Sequence, residues 1–326
     1  MNKDLAIGID VGGTNIRTAL IHSSGEIKGI HKQPTRAESE IACIIGNIAE
    51  GIFQLLNDHN VEREDLLGIG LGAAGFLSLD SGIIHFSPNL PTAKEVPLVN
   101  LLERLTSLPV YLENDANAAA IGEQWVGSGQ GVENLLCVTL GTGVGSGFIL
   151  NGKIWHGSND LAGELGHTTL VPDGLPCKCG REGCLEAYVS ATGIVTRTEI
   201  AINAGRLSPL KKYVGNREEP LTSRMVYEHA STGDRLAREI FEETGRYLAI
   251  ALANVLNLLD LEMVIIGGQV SDAGNLLLRP TIHEVERRAI RTKYHPIRIV
   301  QSALGDNAGI IGAAKMAFDR IHEFRD

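Results

Sequence analysis

The chain has no run of basic residues longer than a pair, and 29 Lys and Arg against 39 Asp and Glu give a formal net charge of -10. Phosphodiester backbones are held through clustered Lys and Arg, so no nucleic-acid partner is expected. Met1-Asn2-Lys3-Asp4 passes at once into the β-type run LAIGID, with neither the apolar core of a secretory signal nor an Arg-rich transit segment. A cytoplasmic location follows as the expectation. The longest apolar stretch, residues 247–266, is interrupted by Asn254, Asn257, Asp260 and Glu262, so it reads as a buried helix and a strand, and no membrane is expected as a partner. The five cysteines do not pair evenly, and three of them fall together, which suits a reducing compartment better than a disulfide framework. Cys43 and Cys137 stand among apolar residues and read as inert core thiols. At 326 residues and 44% hydrophobic content, the length suffices for about two domains with cores of their own.

What the chain does have is concentrated in residues 163–186, GELGHTTLVPDGLPCKCGREGCLE. His167, Cys177, Cys179 and Cys184 lie within eighteen residues there, among Gly and Pro. That is the ligand set of a closed Cys3His zinc site, and four protein ligands leave no open position for catalysis by the metal, so the Zn2+ is expected to be structural. Glu164 and Glu186 bracket the segment.

Elsewhere the pattern alternates strands and helices. Residues 5–10 form a β run ending in the turn VGGTN, and residues 16–21 resume it. Residues 134–140 repeat the arrangement with NLLCVTL, the turn GTGVGSG, FIL and an Asn151-Gly152 turn. Two such units about 130 residues apart suggest a duplicated domain. Helical periodicity covers residues 38–57, 190–204, 235–259 and 309–318, and further strands are expected at 66–71, 110–113 and 263–266. The run GAAGFLSLDSG reads as a loop leading to another β run. The whole indicates two α/β domains around a cleft. The expected division is residues 1–115 with a closing segment at about 305–326, against residues 116–304.

Glycine lets backbone N–H groups approach a phosphate, and neighbouring hydroxyls add donors. Gly12, Gly13, Thr14 and Asn15 in the first turn, and Thr142 and Gly143 in the second, are therefore candidate phosphate cradles; a tight hairpin explains either turn equally well. Neither turn matches a familiar nucleotide motif, and the nearest approach to a P-loop, Gly147 to Lys153, ends in Ile154. Asp10 stands where a carboxylate can hold a metal-bound water, and Mg2+ needs only one or two carboxylates beside substrate phosphates. Gly267-Gly268 closes a strand, either as a plain turn or as part of the site.

Asn114-Asp115 falls at a strand end and a helix start, where either residue can cap the helix beginning near Ala116. The helix N-terminus also favours an ionised carboxylate, and phosphoryl transfer needs an acceptor for the attacking hydroxyl's proton. Asp115 is the candidate for that acceptor. Asn89 in the SPNLP loop, Glu164 and Glu186 offer the hydrogen-bonding groups that a polyhydroxylated substrate needs.

DVGGTN, ENDANAAAIGE, LGTGVGSG, ELGH and CKCGREGCLE stand in the order and spacing of the ROK family of sugar kinases and regulators, which the chain resembles over nearly its whole length. The resemblance implies the actin-like (ribonuclease H-like) two-domain fold of sugar kinases, with ATP, Mg2+ and a sugar as partners. It implies Asp115 as general base, and Asn114, Glu164, His167 and Glu186 as sugar ligands, joined by Asn89 and by Gly75 in the pocket wall. It further implies phosphate contacts at Gly12–Thr14 and Thr142–Gly143, and adenosine beside Gly267-Gly268. His167 would hold zinc through one ring nitrogen and sugar through the other. The segment CGREGCLEAYVSATGIV looks most like the glucose-phosphorylating branch. N-acetylglucosamine, N-acetylmannosamine, mannose and fructose are the alternative substrates, and a non-catalytic sugar-responsive regulator is the alternative class. Regulators of the family normally carry an N-terminal winged helix, for which a first strand at residue 5 leaves no room. A homodimer or homotetramer is the assembly the resemblance implies.

Overall fold

The computed structural model describes residues 3–290 and 294–323; Met1-Asn2, 291–293 and 324–326, the last within the closing segment expected at 305–326, lie outside the described residues. The chain divides into two compact units, Met1–Cys137 with Gly147–Gly163 and Ala303–Asp326, and Val138–Ser146 with Glu164–Ser302.

The first unit is built on a five-stranded mixed sheet. Its strands run in the order Ile27–Pro34, Asn15–His22, Leu5–Val11, Leu66–Ala73, Val110–Asn114. The first three pair antiparallel through hairpins, and the last three run parallel. Period-two alternation sends Ile7, Ile9 and Val11 to a core shared with Ile44, Ile48 and Ile52 of the helix Ile41–His59. Ala6, Ala19 and Ile21 face the other way, onto Ile310, Ala314 and Phe318 of the closing helix Ala308–Glu323. Cys43, expected in the core, is exposed, because its helix buries Ile44, Ile45 and Ile48 and turns Cys43 outward; Cys137 is buried. The run GAAGFLSLDSG contains a strand, Phe76–Ser78. With Ile83–Ser87 and Leu90–Val96 it forms a three-stranded antiparallel sheet, so the SPNLP loop is a hairpin turn.

A second five-stranded sheet has the order Lys153–Ile154, Val144–Leu150, Leu135–Leu140, Met263–Gly267, Arg298–Gln301. The order reproduces the first sheet, hairpin strands on one side and crossover strands on the other, which bears out the repeat of strand, glycine turn and strand. In the second unit the helix Arg235–Leu259 buries Leu236, Ile240, Phe241, Leu248 and Leu252, so its apolar face is core. The helix Asn275–Arg288 has no counterpart among the sequence expectations, because Pro280 lies inside it and breaks the local pattern.

Close approach in the first unit depends on missing side chains. A Cβ on Gly8 would strike the Ile310 carbonyl, and one on Gly70 the Ala313 carbonyl, both of the closing helix. Gly122 of the helix Asp115–Val126 meets the Ala308 carbonyl, and Gly312 meets the Ala118 carbonyl in return. Alanine ordinarily favours a helix over glycine by about 1 kcal/mol. Gly46→Ala, where an added methyl meets nothing within 4 Å, should therefore stabilise the protein by about 0.5–1 kcal/mol. Gly312→Ala should destabilise it by about 2 kcal/mol or more through overpacking. Urea unfolding midpoints of the two variants, at unchanged m-value, check the opposite signs.

Candidate active site

The carboxyl ends of the parallel strands in the first unit carry one group of candidates. Asp10 registers with Gly72, Gly72 with Glu113, and Ala73 with Asn114, so the three strands deliver Asp10 and Asn114-Asp115 to the same edge, where open α/β sheets bind ligands. Asn114 is the N-cap of the helix Asp115–Val126, and its Oδ1 accepts from Ala116 N–H at 2.9 Å and Asn117 N–H at 3.2 Å. Asp115 opens the helix and lies over Gly72, whose Cβ would come within 3.5 Å of the Asp115 Cα; its Oδ1 accepts from Ala116 N–H at 2.8 Å. The cap and the carboxylate thus occupy adjacent residues: Asn114 caps the helix, and Asp115 is its first residue.

The first glycine turn stands beside this edge. Gly12 N–H closes it onto the Asn15 carbonyl at 3.1 Å, and the Thr35 hydroxyl donates to the Gly12 carbonyl at 2.6 Å. Gly13 and Thr14 are exposed, and Asn89 Oδ1 would lie 3.4 Å from a Gly13 Cβ, so Asn89 faces the glycine turn. Gly75 has φ 133° and packs on the Phe86 carbonyl, which leaves no room for a side chain. Gly70 to Gly75 also spells G-x-G-x-x-G; the strand Phe76–Ser78 follows it, so this spacing does not open onto the helix N-terminus that a dinucleotide fingerprint requires.

Two residues of this unit carry no mark in the sequence. Glu113 is buried, and its Oε1 accepts from Asn114 N–H at 2.9 Å and Asn117 Nδ2 at 3.0 Å. Its Oε2 lies 2.7 Å from His156 Nε2. The Glu-Asn-Asp triplet signalled only its last two members, because a buried glutamate is recognisable only once its partners are placed.

In the second unit the turn at Thr142-Gly143 is tied down on several sides. Gly141 N–H donates to the Gly143 carbonyl at 3.0 Å, Ala191 N–H to the Gly141 carbonyl at 2.8 Å, and the Thr192 hydroxyl to the Thr142 carbonyl at 3.1 Å. Glu186 accepts from Val144 N–H at 2.8 Å through Oε2, while its Oε1 lies 3.7 Å from Cys177 Sγ. Glu186 therefore links the glycine turn to the cysteine loop. Gly268, at φ 80°, packs against the Leu140 backbone just before that turn, so the two glycine segments of this unit are neighbours.

The cysteine loop brings together the four residues read from the sequence. One donor atom from each of His167, Cys177, Cys179 and Cys184 lies within 4.8 Å of the other three. Cys179 Sγ and Cys184 Sγ are 3.7 Å apart, and Cys177 Sγ lies 3.8 Å from His167 Nδ1. A tetrahedral zinc with Zn–S of 2.3 Å and Zn–N near 2.0 Å requires about 3.8 Å between sulfurs and about 3.6 Å between sulfur and nitrogen. The donor set fits that ion. Burial, ahead of the neighbouring thiols, pushes the Cys177 thiol up to about 12, so binding a cation here entails proton release. Opposite the cluster, His167 Nε2 lies 3.9 Å from Glu164 Oε2.

Desolvation by burial pushes Asp10 up from 3.8 to about 6; the Asp115 carboxylate adds to the rise, Arg17 opposes it, and Asp306 adds a little more. A raised carboxylate binds more protons folded than unfolded, so its contribution to stability is full below about pH 4 and is lost as pH rises through about 6. Replacing it with a neutral isostere removes that loss. Without added divalent cation, Asp10→Asn should be more stable than the wild type at pH 8 by about 1–3 kcal/mol, shrinking toward zero at pH 4; thermal melts at both pH values measure the difference.

The family model for the ROK family matches residues 6–320. A glucokinase of Halalkalibacterium halodurans is 41% identical over 307 residues, covering 94% of this chain and 92% of the relative. Among solved structures, the ROK family glucokinase from Streptomyces griseus in complex with glucose and AMPPNP superposes with a TM-score of 0.82 at 35% identity, covering 97% of this chain and 99% of that one. A ROK family transcriptional regulator, a homolog of the E. coli MLC protein, gives a TM-score of 0.85 at 26% identity, covering 96% of this chain and 78% of that one. Matched along almost its entire length, and sharing two fifths of its residues with one such relative, the chain belongs to the ROK family.

Proposed function

We propose that this protein is an ATP-dependent glucokinase that transfers the γ-phosphoryl group of ATP to the 6-hydroxyl of glucose. The observation that carries the reading is Asp115 itself, a carboxylate opening a helix at the carboxyl edge of parallel strands with Asp10 on the same edge. The near-full-length glucokinase relatives supply the substrate class.

Asp115 accepts the proton of the 6-hydroxyl as that oxygen attacks the γ-phosphorus, and the bond to the β-phosphate oxygen breaks to release ADP. Gly75, Asn89, Asn114, Glu164, His167 and Glu186 are the sugar-binding residues of this reading. The turns Gly12–Asn15 and Thr142-Gly143 hold phosphates through backbone N–H groups, and Gly267-Gly268 face the adenosine. Asp10 is the carboxylate toward Mg2+, which when bound neutralises developing charge on the phosphates. That assignment also explains a carboxylate kept where desolvation disfavours its charge. His167 Nδ1 and the three thiols would hold zinc, which when bound cross-links the loop and leaves His167 Nε2 directed to the sugar beside Glu164. A homodimer or homotetramer is the assembly expected of such a kinase.

The second reading is a sugar-responsive regulator that keeps the pocket without turnover, and it draws on the similarity to the MLC homolog. The Asp115 and Asp10 carboxylates favour the kinase. An ADP-coupled assay over glucose, mannose, fructose and the two N-acetylhexosamines should give the highest kcat/KM with glucose. In the same assay Asp115→Asn should lose at least about 100-fold in kcat with glucose affinity nearly unchanged. Turnover near that of the wild type would remove Asp115 from the chemistry, and absence of ADP release with every sugar would favour the regulator. For the metal, chelation or Cys179→Ser should lower the melting temperature by about 5 °C or more together with glucose affinity. Full glucose affinity in metal-free protein would show that the metal does not position His167.

A further inference from the structure

Glu113 is nine-tenths or more buried, with only 4% of its side chain exposed, and it stands immediately before the Asn114-Asp115 pair. A carboxylate so placed is costly unless donors meet both oxygens. Oε1 is met by the backbone N–H of Asn114 and by Asn117 Nδ2, residues that lie on either side of Asp115 in sequence. Oε2 is met by His156 Nε2 at 2.7 Å, from a segment 43 residues away. His156 begins a loop closed on itself by the bond from Ala162 N–H to the His156 carbonyl at 3.0 Å. The same loop is anchored by Asp160 Oδ2, which accepts from Leu79 N–H at 3.1 Å.

We propose that Glu113 and His156 form a positioning pair, in which the histidine holds the buried carboxylate and the carboxylate holds the first turn around Asp115 in register for proton transfer. The proposal rests on the reading of Asp115 as the base. With Oε1 committed to residues 114 and 117, the orientation of the carboxylate is set by what holds Oε2. Without the His156 donor, Oε2 is a buried acceptor with its partner removed; the carboxylate relaxes by rotation, and that change alters the two bonds that bracket Asp115. A displacement near 1 Å in a reacting group costs on the order of 100-fold in rate, so small relaxations here read out strongly in the chemical step.

The test is the single-turnover rate with glucose and ATP saturating, measured beside KM for glucose and the urea unfolding midpoint. His156→Ala should slow the chemical step about tenfold or more with KM for glucose within about twofold. His156→Gln, whose amide nitrogen replaces Nε2 as donor, should stay within about threefold of the wild type. In the double variant with Glu113→Gln, the losses should fall well short of multiplying, because both changes break one interaction. Equal losses in His156→Ala and His156→Gln, a loss carried by KM, or losses that multiply would each overturn the pair. Those outcomes leave the base assignment standing when Asp115→Asn is inactive, whereas an active Asp115→Asn removes the base assignment itself.

Discussion

The arrangement of the first unit depends on helices and strands meeting without side chains between them. The closing helix Ala308–Glu323 lies on Gly8 and Gly70 of the sheet, and Gly122 and Gly312 let it approach the helix Asp115–Val126 backbone to backbone. At such contacts a methyl group has nowhere to go, so the helix that begins with Asp115 has one available depth relative to the strands. Its first turn therefore rests over Gly72, at the edge where Asp10 also ends up. The position of one carboxylate is set by residues more than a hundred positions away.

The second unit fixes its own candidates by a different means. The segment Thr169–Cys184 is bridged antiparallel, Pro176 pairs with Glu182, and Gly183, at φ 75°, lies against the Val171 carbonyl where a Cβ would collide. These contacts gather one donor atom from each of His167, Cys177, Cys179 and Cys184 within 4.8 Å of one another. Glu186 extends the effect by joining the loop to the Val144 N–H of the glycine turn. One carboxylate thus touches both the cysteine loop and the candidate phosphate turn.

What was legible in the chain follows from locality. The glycine hairpins, the strand-to-helix junction at Asn114-Asp115 and the ligand spacing around Cys177 are short-range patterns, and the structure contains each of them. Cys43 was misread because apolar neighbours in sequence are not neighbours in space on a helix that buries one face. The strand Phe76–Ser78 lies in a run that reads as a loop because it is short and its Phe76 is exposed, whereas the β run expected after it is the strand Ile83–Ser87. Glu113 and His156 escaped because a buried acid and its partner 43 residues on have no spacing rule to connect them.

The sequence by itself determined the grouping of His167 with Cys177, Cys179 and Cys184, the two glycine turns, the strand-to-helix junction at Asn114-Asp115 and the family they belong to, since each is written in residues close together. Only the tertiary structure decided that Asp10 and Asp115 share an edge, that burial pushes Asp10 up to about 6, and that Glu113 is shared between His156 and the turn around Asp115. The reason is physical: desolvation and close packing depend on which distant segments exclude water from a group, and that is settled when the chain has folded around it.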